Sequence, residues 1–460
     1  MARDISAVMR SETEINLRKK LQLVWMLSVP TILAQISMIA MQYIDAAMVG
    51  SMGATASASI GLVSSTTWLF GGVCSAASYG FSVQIAHAVG AGDTDTSKRV
   101  FRQGLISIIV FALVMMSVGL GISGSLPVWL RADESIRTGA TAYFRIYALF
   151  VPVRQIMLYC GASLQASGNT KVPGALDVLM CVLDVVFNAF FIFSTGTFTI
   201  GSIKIPSLGL GVKGAAIGTG CAELVSGGLM AYFACIRQQH TAIRKDSLFR
   251  FSEITQEKAL KISIPMAVEQ IALCGAQVIT TGIVAPLGTV AVAAHSFAIT
   301  VEALCYEPGY GLQAAATTLV GQAIGAGKKG LAKSFGWITT FFGIAIMTGT
   351  GIIMYFICPY IFSFLTPDIA VQELGIRVLR IELFAEPLFA ASIVATGALR
   401  GVGDTLIPSI MNLVSMWGVR IVLSIILTPT LGLAGVWIAM CTELIIRGII
   451  FLIRLKVRIK

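Results

Sequence analysis

Apolar runs of about 20 residues recur along this chain, each long enough to cross the ~30 Å hydrocarbon core of a bilayer. Short segments between them hold most of the charge. No feature restricts the fold more, because backbone that crosses hydrocarbon must satisfy its own hydrogen bonds, and an apolar run does so as a helix. Of the 460 residues, 56% are apolar and 12% charged, and a soluble protein would carry about twice that charged fraction. Twelve spans are predicted, at about 22–44, 58–82, 100–123, 138–160, 174–195, 212–235, 260–285, 293–319, 335–358, 376–398, 408–428 and 433–455. The expected fold class is an all-α polytopic membrane protein. Taking the loops alternately, 23 of the 33 Lys and Arg residues fall on the side of the N-terminus. Only Arg131, Arg137, Lys204 and Lys213 fall on the other, and the remaining six lie within spans or at their edges. The positive-inside rule then makes both termini cytoplasmic, in a multi-pass protein of the cell's inner (plasma) membrane. The net charge of +10 is a product of those loops and does not imply a nucleic-acid partner. Residues 1–20 are polar and basic, and the first apolar run is long enough to stay as a span, so no cleavable signal is expected. The nine cysteines stand singly, without a CxxC or other metal spacing, so neither a disulfide framework nor a metal centre is expected.

The chain also repeats itself. Ser28 to Gly50 reads SVPTILAQISMIAMQYIDAAMVG, and Ser263 to Ala285 reads SIPMAVEQIALCGAQVITTGIVA. At this offset of 235, Ser28, Pro30, Gln35 and Gln42 return as Ser263, Pro265, Gln270 and Gln277, whereas Asp45 returns as Thr280. The register holds without a gap to Pro173 and Pro408, through Gly90–Gly92 and Gly325–Gly327, Arg145 and Arg380, and Gly168 and Gly403. Six spans separate the copies, so their orientation is the same. Two six-helix lobes follow, related by an axis along the membrane normal. The expected divisions are a cytoplasmic segment 1–21, a first lobe 22–235, a basic linker 236–259 and a second lobe 260–460. Repeat-built transporters place substrate between such lobes near mid-membrane.

Acids inside spans are costly and must face protein or water. On a helical wheel Gln35, Gln42 and Asp45 fall within about 80°, with Met38 between them, which makes one polar-lined face. In the fifth span Asp177, Asp184 and Asn188 lie within about 40°. Asp45, Asp184, Asn188 and Thr219 together make an oxygen-rich set that suits Na⁺ or a proton. The other reading is a hydrogen-bonded network that ties spans together. The second half offers Glu269, Glu302, Glu307, Glu382 and Glu386, with Arg380 and Arg420 as partners. These acids serve either buried ion pairs or a substrate or proton role. Glu269 and Glu302 are the stronger candidates for meeting a cationic substrate. Candidate cavity residues are thus Gln35, Met38, Gln42, Glu269, Gln270, Gln277, Glu302 and Glu386.

Length, twelve spans, the 6+6 repeat and several motifs resemble the multidrug and toxic-compound extrusion (MATE) transporters. The motifs are Pro30 followed by Asp45 and Gly50, the GAG loops, LQASGNTKVP at 164–173, PLGTVAVAAH at 286–295 and GALRGVGDT at 397–405. The resemblance covers roughly residues 20–456. It implies Na⁺- or H⁺-coupled antiport of organic, often cationic, compounds by two lobes rocking about a central cavity. It also implies coupling residues at Asp45, at an Asn-x-x-x-Asp pair in span five and at Thr219; here the pair is inverted, Asp184 before Asn188. In one branch of the family a span-seven Glu and a span-ten Asp stand where this chain has Leu273 and Phe389. Bending at Pro30, and by the repeat at Pro265, is a further implication, with a static kink as the alternative. No cofactor is expected beyond Na⁺ or H⁺, and the partners are small organic substrates and the lipid bilayer around a monomer. A lipid-linked saccharide flippase of a related superfamily is the alternative, but it would favour a cationic cavity, and here the intramembrane excess is acidic. A receptor or intramembrane enzyme gives no reason for the repeat. GQAIGAGKKG at 321–330 lacks phosphate-loop spacing, so pumping must draw on an ion gradient.

Overall fold

The computed structural model describes residues 5, 8–10, 15–194, 199–200, 203–204, 207–243 and 251–459. Much of the expected N-terminal segment and linker residues 244–250 lie outside the described residues. The helices are α1 (Leu17–Gly50), α2 (Ala54–Ala91), α3 (Thr94–Ile122), α4 (Glu134–Ala166), α5 (Lys171–Ile192), α6 (Val212–Tyr232) and α7 (Glu253–Val284). They continue with α8 (Thr289–Gly325), α9 (Lys329–Leu365), α10 (Ile369–Glu382), α11 (Glu386–Val402), α12 (Leu406–Val414), α13 (Val422–Leu431) and α14 (Leu433–Arg458). A one-turn helix covers Leu126–Trp129, and Thr199–Ile200 (β1) pairs antiparallel with Ile203–Lys204 (β2).

Eleven helical stretches among the described residues are long and apolar enough to cross a membrane. The expected tenth span is assembled differently. α10 stops at Glu382, a 3₁₀ turn covers Leu383–Ala385, and α11 restarts with Pro387 in its first turn. There the proline's missing N–H is harmless, since the first amides of a helix have no intrahelical acceptor. The expected eleventh span is α12 and α13 joined through a π-helical stretch, Ser415–Ile421. α1 and α7 run on through Pro30 and Pro265.

The repeat is written in the backbone. Gly92 and Gly327 end α2 and α8 with φ of +79° and +74°, and Gly168 and Gly403 follow α4 and α11 at +82° and +88°. Each pair is one register apart and adopts the left-handed conformation that only glycine takes cheaply at a helix end. The N-caps repeat as well. Asp133 accepts from the Ser135 amide to open α4, and its counterpart Asp368 accepts from Ala370 and Val371 to open α10. At the start of α3, the amide and hydroxyl of Thr96 bond the Asp93 carboxyl and hold it below the usual carboxylate range.

The chain divides into two compact units. One comprises Met1–Ile36, Ala86–Gly92 and Ile264–Lys460. In it α8 packs on α9 and α11, and α11 on α14. Leu23 and Leu27 of α1 join its core beside Leu312, Leu319, Phe335 and Phe451. The Thr31 hydroxyl donates to the Gly311 carbonyl (2.9 Å). The second unit comprises Ser37–Ile85 and Asp93–Ser263. There α4 packs on α3 and α6, and α6 on α5. Phe101 and Tyr159 stack in its core, with the Tyr159 hydroxyl donating to the Phe101 carbonyl. Both units expose large apolar side chains, among them Val110 and Val114 of α3 and Ile352, Ile353 and Phe356 of α9. In water these would be a liability; against lipid tails they are the expected surface.

Candidate cation-coupling site

Three helices of the second unit converge on one polar cluster. α1 brings Asp45, α5 brings Asp184 and Asn188, and α6 brings Thr219. Asp184 and Asn188 are one turn apart, so α5 presents both on a single face. The Asn188 amide nitrogen donates to Asp45 Oδ1 (2.9 Å) and to Asp184 Oδ2 (3.0 Å). Thr219 and Asp45 lie beside the Asp184 carboxyl. Asp184 and Asn188 are buried, and Asp45 is half-buried. The structure thus brings these four sequence-predicted residues into one polar cluster.

The chemistry follows from this geometry. Two carboxylates at hydrogen-bonding range repel unless a proton or cation lies between them. Among the described residues Asp184 Oδ1 and Asn188 Oδ1 are buried without a hydrogen-bond partner, so both oxygens are available to coordinate. Among the described residues no three His, Cys, Asp or Glu side chains gather as metal ligands. Carboxylate, amide and hydroxyl oxygens, the donors this cluster offers, are those that hard, light cations prefer.

Its surroundings were not all foreseen. Gly218 lies against Asn188, and a Cβ there would overlap the amide oxygen. One turn beyond Thr219, Glu223 receives the Arg154 guanidinium (Nε to Oε1, 2.7 Å), and Arg154 also reaches the Tyr147 hydroxyl (3.0 Å). This pair fixes α6 against α4. The helical wheel missed it because Arg154 and Glu223 lie on different helices. Asp177 lies partly buried two turns before Asp184, outside the bonded cluster.

The remaining candidates separate by environment. Met38 and Gln42 are exposed, with Met38 at 37%. In the first unit, the Gln35 amide donates to Glu307 Oε2 (3.0 Å). Among the described residues Gln270 reaches only the Cys274 sulfur one turn on (3.8 Å), and Gln277 is partly buried further along α7. Glu269 is saturated: Ser409 Oγ (2.7 Å), Asn412 Nδ2 (2.6 Å) and the Arg400 guanidinium (3.4 Å) all point to it. Glu302, Glu382 and Glu386 are buried at 6%, 0% and 0% exposure. Among the described residues the carboxylates of Glu382 and Glu386 have no hydrogen-bond partner. Arg420 is spent elsewhere. The π-helical stretch turns both Ser415 and Arg420 onto Glu443 of α14, at 2.6 and 2.7 Å, and Arg447 adds a second guanidinium at 3.2 Å. Arg380 bonds the Tyr355 carbonyl and covers its ring.

The profile of the MatE family matches this sequence twice, at residues 30–190 and 265–426. The chain belongs to the MatE family. The two matches begin one repeat apart, so the two halves are two copies of a MatE domain. A probable multidrug resistance protein NorM of Thermotoga maritima is 27% identical over 414 residues, 88% of this chain and 85% of its own length. A probable multidrug resistance protein NorM of Mannheimia succiniciproducens is 24% identical over 94% of this chain and 92% of its own. Among solved structures, a MATE in complex with MaD3S superposes with a TM-score of 0.89 at 19% identity. It covers 99% of this chain and 98% of the other. An outward-facing MATE family transporter of the MOP superfamily gives 0.88 at 20% identity over the same shares. The MatE fold is thus that of the whole chain, and this is a multi-pass membrane protein.

Proposed function

We propose that this MatE protein is a secondary active transporter that exports organic, often cationic, compounds by ion-coupled antiport. It is a transporter and not an enzyme, in keeping with its family and with NorM relatives that are named multidrug resistance proteins. The observation that carries the coupling reading is the Asn188 amide bridging Asp45 and Asp184. An Na⁺ ion or proton entering this site would relieve the repulsion of the two carboxylates and draw α1 toward α5 and α6. Ion release would loosen α1 again. Antiport requires that ion and substrate favour opposite conformations, since a ligand bound equally by both shifts nothing. In this reading the two lobes are 22–235 and 260–460, joined by the linker 236–259. Pro30 and Pro265 act as hinges, and Gln35, Met38, Gln42, Gln270 and Gln277 line the substrate path. The protein works as a monomer in the plasma membrane with both termini cytoplasmic.

The deciding experiment measures efflux of a fluorescent organic cation from proteoliposomes under separately imposed Na⁺ and H⁺ gradients. Wild type should export under one of them, which names the ion, and Asp45→Asn should not. Equal transport by Asp45→Asn would make Asp45 structural and move the coupling role to the second-lobe glutamates.

A further inference from the structure

Seven glutamates lie in the described helices of the first unit; Glu373 is exposed near the start of α10, ahead of the expected span, and five of the other six are withdrawn from solvent. Glu269 is held by Arg400, Ser409 and Asn412, and Glu443 by Arg420, Arg447 and Ser415. Glu302, Glu382 and Glu386 are buried. Glu307 differs. It is half-buried, and among the described residues its one partner is the neutral carboxamide of Gln35. Gln35 occupies one carboxylate oxygen without neutralising the charge.

The neighbourhood of Glu307 is aromatic. Tyr310, one turn on along α8, shares its face and is 39% exposed. Tyr306 packs edge-on against Tyr310 (5.9 Å) and against Phe389 (5.5 Å). Pro308 lies within the same turn and leaves the Leu304 carbonyl without its helical donor. A carboxylate and a freed carbonyl do not face hydrocarbon, so this face of α8 meets protein or water rather than lipid. A partly buried carboxylate with a tyrosine ring one turn away can hold a bulky cation of diffuse charge. The acid supplies attraction, and the rings supply cation–π and apolar contact.

We propose that Glu307, steadied by Gln35 and walled by Tyr306 and Tyr310, is the anionic contact for organic-cation substrates. This rests on the export reading above and adds the residue that selects for positive charge. Glu307 is distinct from the Asp45 site, so binding and coupling are separable by mutation.

The test is equilibrium binding of tetraphenylphosphonium to the purified full-length protein in detergent, which requires no transport. Glu307→Gln should raise Kd about tenfold or more, as expected for losing a partly desolvated charge partner. Glu307→Asp should stay within about threefold, and Tyr310→Ala should weaken binding several-fold. Unchanged affinity in Glu307→Gln would overturn the assignment. Equal loss in Glu307→Gln and Glu307→Asp would also overturn it, by making the residue a packing element. A wild-type protein that binds no organic cation would instead remove the substrate reading on which the site depends.

Discussion

Gly90 and Gly325 stand one repeat apart, and each packs where a side chain would not fit. A Cβ on Gly90 would overlap the Gln322 carbonyl, and one on Gly325 would overlap the His87 carbonyl. His87 and Gln322 are also one repeat apart, so the ends of α2 and α8 cross about a local two-fold axis. Adding bulk at such a crossing typically costs about 1–3 kcal/mol. Gly90→Val and Gly325→Val should therefore lower the thermal midpoint in detergent, and by similar amounts. A midpoint unchanged in either would show that the crossing yields without strain.

The inverted pair on α5 makes a sharper test of the coupling site. Exchanging the residues, Asp184→Asn with Asn188→Asp, keeps one acid and one amide on the same helical face and moves the acid one turn. Each single change alters the site's charge, and each should cut ion-driven efflux by about tenfold or more. The double exchange should recover a substantial part of it. Efflux in proteoliposomes reads both, and a double variant no better than the singles would tie function to the native order.

Glu443 carries two guanidiniums in a buried setting. Removing one partner of such a network typically costs about 3–5 kcal/mol, because the other charges remain buried and unpaired. Glu443→Gln should accordingly give little monodisperse protein on size exclusion. Arg447→Met leaves the Arg420–Glu443 pair in place and should be the milder change. If Glu443→Gln is as stable as wild type, the network contributes nothing net.

Glu269 and Glu307 should separate cleanly. Glu269 accepts from three groups, so Glu269→Gln removes the carboxylate that faces the Arg400 charge and should lower thermal stability by about 2 kcal/mol. Its affinity for tetraphenylphosphonium should stay within about threefold of wild type. A large loss of affinity with unchanged stability would return Glu269 to the substrate path.

Gly218→Val is the remaining probe. A branched side chain there would displace Asn188 while leaving both carboxylates in place. Ion-driven efflux should fall about tenfold or more if the bridging amide matters. Organic-cation binding at Glu307 should be untouched. Normal efflux would mean that Asn188 is dispensable to coupling.

How much of this was legible in the sequence depends on the distance over which each signal acts. Asp184 and Asn188 were recognisable as one polar face because helical period is a local property of four or five residues. The glycines of the GAG loops were recognisable as helix stops for the same reason. The break at Glu382–Glu386 was harder to see. Pro387 alone is compatible with a kink inside one helix, and the 3₁₀ turn that replaces it depends on packing around Leu383 and Ala385.

By itself the sequence determined the membrane class, most of the spans, the repeat and the family, since each follows from apolar run length, charge placement or register along one chain. Tertiary structure alone decided which distant residues meet. Asp45 and Asn188 are 143 positions apart, Glu269 and Asn412 also 143, and Gln35 and Glu307 272. Inside a bilayer nearly every helix is apolar all round, so composition says little about its rotation and depth against its neighbours. Side-chain packing and the pairing of the few buried polar groups set those. That is why the acids could be found by reading, while only the fold separated Glu269, tied into a network, from Glu307, whose one hydrogen-bond partner among the described residues is Gln35.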